Sequence, residues 1–420
     1  MRKKVSVVIL AMSICLIMGV PGLVNAQEKI TMWVLGAANF IPAYNSLEAR
    51  FEKENPDIAV DRVDMGWDEL SQKVTTGFIT GGGLPDVMEV PTGFVSPFIK
   101  MKMFAPTPEW VMTKEQIEEE HWSATLKLIY CDGEYYGLPF GFCTDTNGLV
   151  YNKEIWEQAG VTPEDCNTWG NFIETCQKLT LTDASGEITR PALALHHEDE
   201  LISGWILQYG GKLLSEEEDE MYINTPTGKK ALQTYKDIFL RWKISNPKVS
   251  REAFEKGQLA AVMVGPYYGF ILNQNFPSLE WGFFPTPSVS DRPPYFINSE
   301  NWIREIPRSS KHKEAAFKWL KFMTNTDNAV EMELCAGEFS ALKAACYDER
   351  MSSLPAFSPL LPLLKYAVPI DSRNHSASSE IWASITDKLK FGKIGVDEAA
   401  LELEKRINEI WREYDALYKG

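Results

Sequence analysis

The chain has 420 residues, and its 58 aspartates and glutamates outnumber its 42 lysines and arginines, which gives a formal net charge of -16. This acidic balance argues against nucleic acid and against an anionic membrane surface as partners. A chain of this length exceeds what one hydrophobic core usually fills, so we expect two domains.

The N-terminus, residues 1–26, has the layout of a cleavable secretory signal. Three cationic residues at 2–4 precede an apolar run over 5–20, which is shorter than the roughly 20 residues that a membrane-spanning helix needs. Small residues follow, and we expect cleavage after Ala26. A lipid anchor would need a small residue before its cysteine, whereas Ile14 precedes Cys15. We therefore expect an exported protein, periplasmic or extracellular, that carries no lipid.

The mature chain keeps an even number of cysteines, and their pairing cannot be decided from the sequence. These residues are Cys131, Cys143, Cys166, Cys176, Cys335 and Cys346. Disulfides 166–176 and 335–346 are candidates in an oxidising compartment, and a buried free thiol is the alternative at each position. No zinc-type spacing of cysteine and histidine occurs, so we expect no metal site.

The first predicted elements alternate between strand and helix. Apolar Tyr44, Leu47 and Phe51 recur at helical spacing, and Asn55-Pro56 ends that helix because proline disfavours a helical residue before it. The elements in order are a strand over 29–34, a helix over 41–54, a strand that begins at 58–60, a helix from 67 to about 77 and a strand over 85–90. This order predicts parallel βαβ units.

The remaining elements follow the same reasoning. Asp132-Gly133 predicts a hairpin turn, and Thr168 is a helix cap. Further strands are predicted at 149–151, 193–195, 260–264 and 281–284, and further helices at 168–179, 313–323 and 397–417. The proline-rich stretch over 285–294 is too polar for a core strand, and we interpret it as a segment that crosses between domains.

Six segments carry motifs that occur in one order along the chain. They are Phe51–Val60 with F-x-x-x-N-P-x-I-x-V, Gly82–Val87 with G-x-x-P-D-V, Asp132–Pro139 followed by Leu149–Lys153, Gly257–Pro266, Ser310–Leu320 and Asp397–Ala400. Together they resemble family 1 of the extracellular solute-binding proteins of ABC importers, the group that includes the maltose- and other sugar-binding proteins. The resemblance spans most of the chain.

The resemblance implies an α/β, two-lobed periplasmic-binding-protein fold (type II-like), with three crossover segments between the lobes and the ligand cleft between them. It places lobe 1 at 27–142 and 290–335, lobe 2 at 146–288 and 341–420, and hinge segments near 142–145, 285–294 and 335–340. It also implies an ABC permease with its ATPase as the partner. We expect a monomer.

Signatures of catalysis are missing from the sequence. Gly81-Gly82-Gly83 lacks the lysine of a P-loop, and no GxGxxG, GxSxG or HExxH motif occurs. Asp68 and Glu69 are neighbours and so do not form a glycosidase pair, and we interpret 196–200 (His-His-Glu-Asp-Glu) as a solvated loop. The sequence predicts no catalytic residue and no cofactor, and hence no enzyme.

Candidate ligand residues follow the predicted strands or lie at the crossings, where open α/β sheets bind ligands. Aromatic rings cover the flat faces of sugars while polar side chains bind the hydroxyls. The candidates are Asn39, Phe40, Trp67, Asp68, Phe94, Phe142, Asp145, Trp205, Tyr267, Tyr268, Asn298, Glu300, Trp302 and Phe339. A core or capping role is the alternative at each position. Glu338-Phe339 departs from the family pattern, which often has proline there.

The candidate set contains no lysine or arginine, which favours a neutral or cationic solute. We predict a carbohydrate. A polyamine, a polyol phosphate and a sensor role for a receptor remain the alternatives.

Overall fold

The computed structural model describes residues 27–37, 39–298, 301–370 and 373–418. The predicted signal, 1–26, and the predicted ligand residue Glu300 lie outside these residues. The strands are β1 Glu28–Leu35, β2 Ile58–Met65, β3 Val87–Pro91, β4 Tyr130–Cys131, β5 Glu134–Tyr135, β6 Leu138–Phe142, β7 Gly148–Asn152, β8 Leu181–Thr182, β9 Ile188–Arg190, β10 Leu193–Leu195, β11 Ala261–Met263, β12 Trp281–Pro285, β13 Phe296–Ile297, β14 Trp302–Glu305, β15 Phe339–Ser340 and β16 Ala367–Val368.

Helices pack against the two largest sheets of the molecule. They are α1 Ile41–Glu54, α2 Trp67–Thr80, α3 Thr92–Lys100, α4 Lys114–Glu120, α5 Ser123–Leu126, α6 Lys153–Ala159, α7 Trp169–Leu179, α8 Glu198–Gln208, α9 Pro226–Leu240, α10 Glu252–Glu255, α11 Tyr267–Asn275, α12 Lys313–Met323, α13 Thr326–Ala336, α14 Lys343–Tyr347, α15 Glu349–Ser352, α16 His375–Lys390 and α17 Val396–Tyr418. Short 3₁₀ turns occur at Lys127–Ile129, Pro163–Cys166 and Leu361–Tyr366. Across the described ranges, no helix is both long and apolar enough to cross a membrane.

Lobe 1 is built on a six-stranded sheet with the order β15-β6-β14-β3-β1-β2. Strand β1 pairs in parallel with both β2 and β3, which confirms the predicted βαβ units. The returning strand β14 lies antiparallel between β3 and β6. On one face, Phe51 of α1 meets Trp319 of α12 edge to face, with ring centroids 4.9 Å apart, so the two parts of lobe 1 share one core.

Lobe 2 is built on a four-stranded sheet with the order β10-β11-β7-β12. Strands β10 and β11 are parallel, whereas β7 lies antiparallel to both β11 and β12. The C-terminal helix α17 buries Leu403, Ile407 and Trp411 in the core of this lobe. The helix predicted over 397–417 is thereby confirmed.

Local signals set several element boundaries as the sequence predicted. Thr168 caps α7 by accepting a hydrogen bond from the backbone N–H of Asn171. The hairpin of β4 and β5 turns through Asp132 and Gly133, whose φ angles are 50° and 88°. Both angles are positive, as this tight turn requires.

The chain passes between the two sheets at three places. It leaves β6 at Phe142 and enters β7 at Gly148, and it leaves β12 at Pro285 and enters β14 at Trp302. It then forms β15 on the lobe 1 sheet before α14. Apolar side chains from both sheets meet at these crossings, among them Phe142, Val150, Phe283 and Phe339.

The second crossing lies later in the chain than the proline-rich stretch 285–294, where the sequence predicted it. The stretch 290–297, which the sequence assigned to lobe 1, packs on lobe 2. Strand β13 pairs with β16 and buries Ile297 in the lobe 2 core. Gln208 at the end of α8 accepts a hydrogen bond from the N–H of Val289 at 2.9 Å. These contacts hold the proline-rich segment against α8.

The structure holds all six cysteines as free thiols, so it contains neither of the two candidate disulfides. Cys335 lies on α13 against the lobe 1 core. Cys346 instead donates a hydrogen bond to the carbonyl of Ser340 at 3.0 Å in the core at the crossings. These different surroundings keep the 335–346 pair apart.

Candidate functional site

A cavity of about 480 Å³ lies between the two lobes at the carboxyl ends of their parallel strands. Residues just beyond β1, β2 and β3 form one wall, and residues beyond β10 and β11 form the opposite wall. The crossings form the floor. The lining residues are Leu35, Ala37, Asn39, Phe40, Trp67, Pro91, Cys143, Asp145, His196, His197, Arg251, Tyr267, Ile271, Trp302, Ala336 and Glu338. Open α/β sheets bind ligands at such strand ends.

The lobe 1 wall is aromatic. The Trp302 ring lies 6.1 Å from the Phe40 ring and 6.2 Å from the Trp67 ring, measured between centroids. Gly141 lies under Trp302, where a Cβ atom would come within 3.0 Å of the indole. Trp67 begins α2 and keeps 40% of its surface exposed. Flat apolar surface is thus presented to the cavity.

A buried ion pair joins two of the strands that carry this wall. Arg304, two residues after Trp302 on β14, donates to Glu89 at 2.7 Å, and both side chains are almost fully buried. The hydroxyl of Tyr44 also donates to Glu89. This pairing joins β14, which begins at Trp302, to the neighbouring strand β3.

The floor of the cavity is acidic. Asp145 comes from the first crossing and Glu338 from the third, and Glu338 as a residue is only 6% exposed. Burial, and then the charge of Asp145, raise the pKa of Glu338 well above its usual value. Burial, and then Asp145, also raise the pKa of Tyr267, so its phenol stays protonated near neutral pH.

The lobe 2 wall carries imidazole and guanidinium groups. His197 begins α8 in the left-handed region, with φ 49° and ψ 59°, and its Nε2 lies 3.9 Å from Oδ2 of Asp145. Burial lowers the pKa of His196 to about 3, so this ring is neutral. The guanidinium of Arg251 lies over the Tyr268 ring, 5.3 Å from its centroid. This wall therefore offers hydrogen-bond donors opposite the aromatic rings.

The arrangement is that of a binding site. Within the described ranges, no group of three or more histidine, cysteine or acidic side chains is placed to hold a metal ion. The lining combines aromatic faces with separate polar groups on the floor and on the far wall, which suits a solute that has both apolar faces and hydroxyl edges.

Comparison with known sequences decides the family. Residues 37–330 match the family described as bacterial extracellular solute-binding protein. The chain is a member of this family. Membership makes it a binding protein and not an enzyme, as the sequence predicted.

Relatives of this solute-binding protein align along most of its length. A putative binding protein of Brucella abortus is 23% identical over 375 residues, which cover 86% of this chain and 87% of the relative. The arabinooligosaccharide-binding protein of Bacillus subtilis is 23% identical over 318 residues, covering 72% and 70%.

Solved structures confirm the two-lobed α/β fold. An ABC substrate-binding protein of Listeria monocytogenes in complex with cycloalternan superposes with a TM-score of 0.76 at 21% identity, over 91% of this chain and 98% of that one. The cyclic α-maltosyl-1,6-maltose binding protein of Arthrobacter globiformis gives 0.77 at 19% identity, over 92% and 100%. At these identities the likeness establishes the fold alone.

The structure brings six of the predicted ligand residues together at the cavity of the solute-binding protein. They are Asn39, Phe40, Trp67, Asp145, Tyr267 and Trp302. Phe94 lies one layer back, where its ring meets Trp67 edge to face at 4.8 Å. Asp68 is exposed in the first turn of α2 and is not part of the lining.

Five other predicted ligand residues lie in the interior, and the structure corrects their assignment to the cavity. Phe142 and Phe339 are completely buried in the apolar core at the crossings, and Trp205 packs in the lobe 2 core. Tyr268 is buried and donates its hydroxyl to the carbonyl of Arg251 at 3.2 Å. Asn298 donates to the carbonyl of Cys143 at 2.8 Å and so braces the first crossing.

Two histidines, one glutamate and one arginine of the lining were absent from the predicted ligand residues. His196 and His197 directly follow β10, so the strand-end rule should have included them, and they are not part of a solvated loop. Glu338 lines the cavity while its neighbour Phe339 turns into the core, because successive side chains of an extended segment point to opposite sides. Arg251 follows no strand, and no local signal identifies it.

Proposed function

We propose that this protein captures a carbohydrate in the cavity between its lobes and delivers it to the permease of an ABC importer. The observation that carries the proposal is the aromatic wall of Phe40, Trp67 and Trp302 facing a polar floor and a polar far wall. Sugars present C–H faces that pack on rings and hydroxyl edges that require hydrogen bonds. A neutral, hydroxyl-rich solute satisfies both walls at once.

The size and charge of the cavity support a sugar of modest length. About 480 Å³ lies within the range of roughly 300–1,000 Å³ that is usual for small-molecule sites. The lining contains two carboxyl groups and one guanidinium. A polyamine in this cavity would lie near the cation Arg251, and a polyol phosphate would lie near the acids Asp145 and Glu338. Because like charges repel, this mixed lining favours a neutral solute over both.

The names of relatives point in the same direction. They include arabinooligosaccharide-, lactose- and diacetylchitobiose-binding proteins. Structural neighbours include proteins bound to maltose and maltotriose. Because these ligands differ in their sugars and linkages, the relatives support the class of ligand and do not choose the sugar.

Capture is proposed to proceed by closure of the two lobes. The three crossings, near 142–145, after Ile297 and near 335–340, serve as hinges in this proposal. A solute that touches Trp302 on one lobe and Arg251 on the other favours the closed state, because only that state makes both sets of contacts. The permease, with its ATPase, would then receive the closed form from an exported monomer without lipid.

A thermal-shift screen tests the ligand class. Maltose, lactose and diacetylchitobiose are compared with spermidine and glycerol 3-phosphate. A ligand at about 100 times its Kd stabilises the folded state by about 2.7 kcal/mol, so we expect the unfolding midpoint to rise with at least one disaccharide. A shift with spermidine or with glycerol 3-phosphate alone would contradict the proposal.

An uptake assay tests delivery. Cells that lack this gene should lose uptake of the stabilising sugar, and the full-length gene should restore it. Normal uptake in the deletion strain would contradict a role in import.

A further inference from the structure

Glu338 is a buried carboxyl group whose strongest charged neighbours are acids. It lines the cavity, yet only 6% of the residue's surface is exposed. Its Oε2 atom is completely buried and has no hydrogen-bond partner in the described ranges. A buried polar atom without a partner carries a cost of about 1–3 kcal/mol. Because the residue also lines the cavity, its carboxyl group is placed to meet a group on the ligand.

The charged neighbours of Glu338 do not favour its ionised form. The nearest charges that act on it are those of Asp145 and Glu333, which are both acids. Two carboxylates that share a desolvated site repel each other, so one of them keeps its proton. Other titratable groups line the same cavity or act on the charge of Glu338. They are Asp145 and Cys143 of the first crossing, His196 and His197 just before α8, Arg251, Tyr267 of α11 and Glu333 of α13.

A neutral carboxylic acid differs from a carboxylate in what it offers a sugar. The acid donates through its O–H and accepts through its carbonyl, whereas the carboxylate only accepts. A vicinal diol carries two hydroxyls, each able to donate and to accept. One hydroxyl can therefore satisfy the acid group of Glu338 while the other donates to the neighbouring Asp145.

We propose that Glu338 binds the ligand as a neutral acid beside Asp145, so that capture of a diol is linked to a proton on this residue. The choice of probe rests on the proposed carbohydrate function. Affinity is then full while Glu338 is protonated and is lost as the pH rises through the pKa of this group. An ammonium-bearing ligand would behave in the opposite way, since it gains from the ionised form.

The first test measures affinity against pH by isothermal titration calorimetry. The probe is whichever of maltose, lactose and diacetylchitobiose gives the largest thermal shift. Affinity is measured between about pH 5 and about pH 9. We expect that of the wild-type protein to fall, by up to about tenfold, the size of one or two hydrogen bonds, as the pH rises toward and through the pKa of Glu338. An affinity that is flat or that rises with pH would overturn the proposal.

Glu338→Gln is the decisive variant. The amide also donates and accepts but carries no proton that titrates, so its affinity should vary by less than about twofold over the same range. A Glu338→Gln protein with the wild-type pH dependence would overturn the proposal. Circular dichroism confirms that the variant is folded.

His197→Asn is the matched control, because histidine is the residue type that ordinarily titrates in this range. Asparagine tolerates the left-handed backbone of this position. The fall in affinity should persist in His197→Asn. If the fall in affinity disappears in His197→Asn and persists in Glu338→Gln, the proton belongs to the histidine and the proposal is overturned.

A measurement without ligand separates this inference from the carbohydrate proposal. The unfolding midpoint of Glu338→Gln is compared with that of the wild-type protein at each pH. Because the folded protein holds the proton more tightly than the unfolded chain, the wild-type protein should lose stability relative to the variant as the pH rises. If no disaccharide shifts the midpoint, the carbohydrate proposal fails while this comparison still reports on Glu338. A difference that does not change with pH would overturn the inference.

Discussion

The indole rings of Trp67 and Trp302 stand at 81° to each other, with centroids 6.2 Å apart, on the lobe 1 side of the cavity. The two rings reach this arrangement from distant parts of the sequence. Trp67 begins the helix after β2, and Trp302 begins the strand that returns from lobe 2. Both chain segments of lobe 1 must therefore be in place before the aromatic wall exists.

Replacing either indole should weaken sugar binding without unfolding the protein. Trp302→Ala and Trp67→Ala each remove a ring from the cavity wall, so we expect a loss of about 1–3 kcal/mol in binding free energy. Isothermal titration calorimetry with the stabilising disaccharide measures this loss.

Trp110→Ala is the matched control for the indole variants. Trp110 is 46% exposed, close to the 40% of Trp67, but it packs on Phe317 of α12 and does not line the cavity. Its replacement should leave the binding free energy unchanged. Equal losses at Trp110 and Trp302 would place the binding site elsewhere.

The ion pair behind the wall should make a large contribution to stability. Arg304→Met leaves Glu89 buried without its cation, which ordinarily costs about 3–5 kcal/mol. The double variant Glu89→Gln, Arg304→Met removes the isolated charge and keeps an acceptor for Tyr44, so it should recover part of this loss. Urea unfolding measures the free energy of unfolding of each variant.

An exposed ion pair gives the comparison for Arg304. Lys73 and Glu69 are 2.9 Å apart on the surface of α2, and Lys73→Met should cost less than about 1 kcal/mol. Similar costs for Arg304→Met and Lys73→Met would contradict the importance of the buried pair.

Local chemistry explains why much of the fold could be predicted from the sequence. The turn at Asp132-Gly133, the cap at Thr168 and the alternation of strand and helix from 29 to 90 depend on neighbouring residues, and the structure confirms them. The proline-rich stretch 285–294 was predicted to cross between the lobes, whereas the structure packs it against lobe 2. Proline content excludes a core strand but does not decide which surface the segment packs on, and here the end of α8 at Gln208 holds it.

The sequence predicted that the site lies at the strand ends, but it did not predict which side chains there line the cavity. An aromatic residue near a strand end satisfies the same rule whether its side chain turns outward or inward. Trp67 faces the cavity, whereas Trp205 lies on the buried face of α8, and only tertiary packing separates the two. Arg251 reaches the cavity from a loop, so its position depends on the folded arrangement of lobe 2.

The six thiols should differ in reactivity. Burial raises the pKa of Cys166 to about 11 and that of Cys346 to about 12, so few of these thiols are ionised at neutral pH, and the thiolate is the reactive form. Ellman's reagent should label the half-buried Cys131 and Cys335 first. In denaturant it should count six thiols from the described part of the chain.

A count of four in denaturant would show that one disulfide forms. Cys166 and Cys176 would then be the first pair to map by peptide mass analysis. Cys166 is close enough to contribute, after burial, to the raised pKa of Cys176.

The stability of the protein should fall with rising pH because of Glu305. This residue is completely buried on β14, and neither of its carboxyl oxygens has a hydrogen-bond partner in the described ranges. Burial raises its pKa well above the usual value. Below the pKa of about 4.3 that a glutamate has in the unfolded chain, both states are protonated and there is no penalty. Above it the unfolded chain ionises first, so stability falls until the pH passes the folded-state pKa.

Glu305→Gln should remove this pH-dependent loss. At about pH 8 we expect the unfolding midpoint of the variant to exceed that of the wild-type protein by about 1–3 °C. The gain should disappear near about pH 4, where the wild-type carboxyl is protonated in both states. Glu134→Gln, on the exposed hairpin strand β5, is the control and should give no gain at either pH. Differential scanning calorimetry at the two pH values measures both variants, and an equal gain at both would show that ionisation of Glu305 is not its cause.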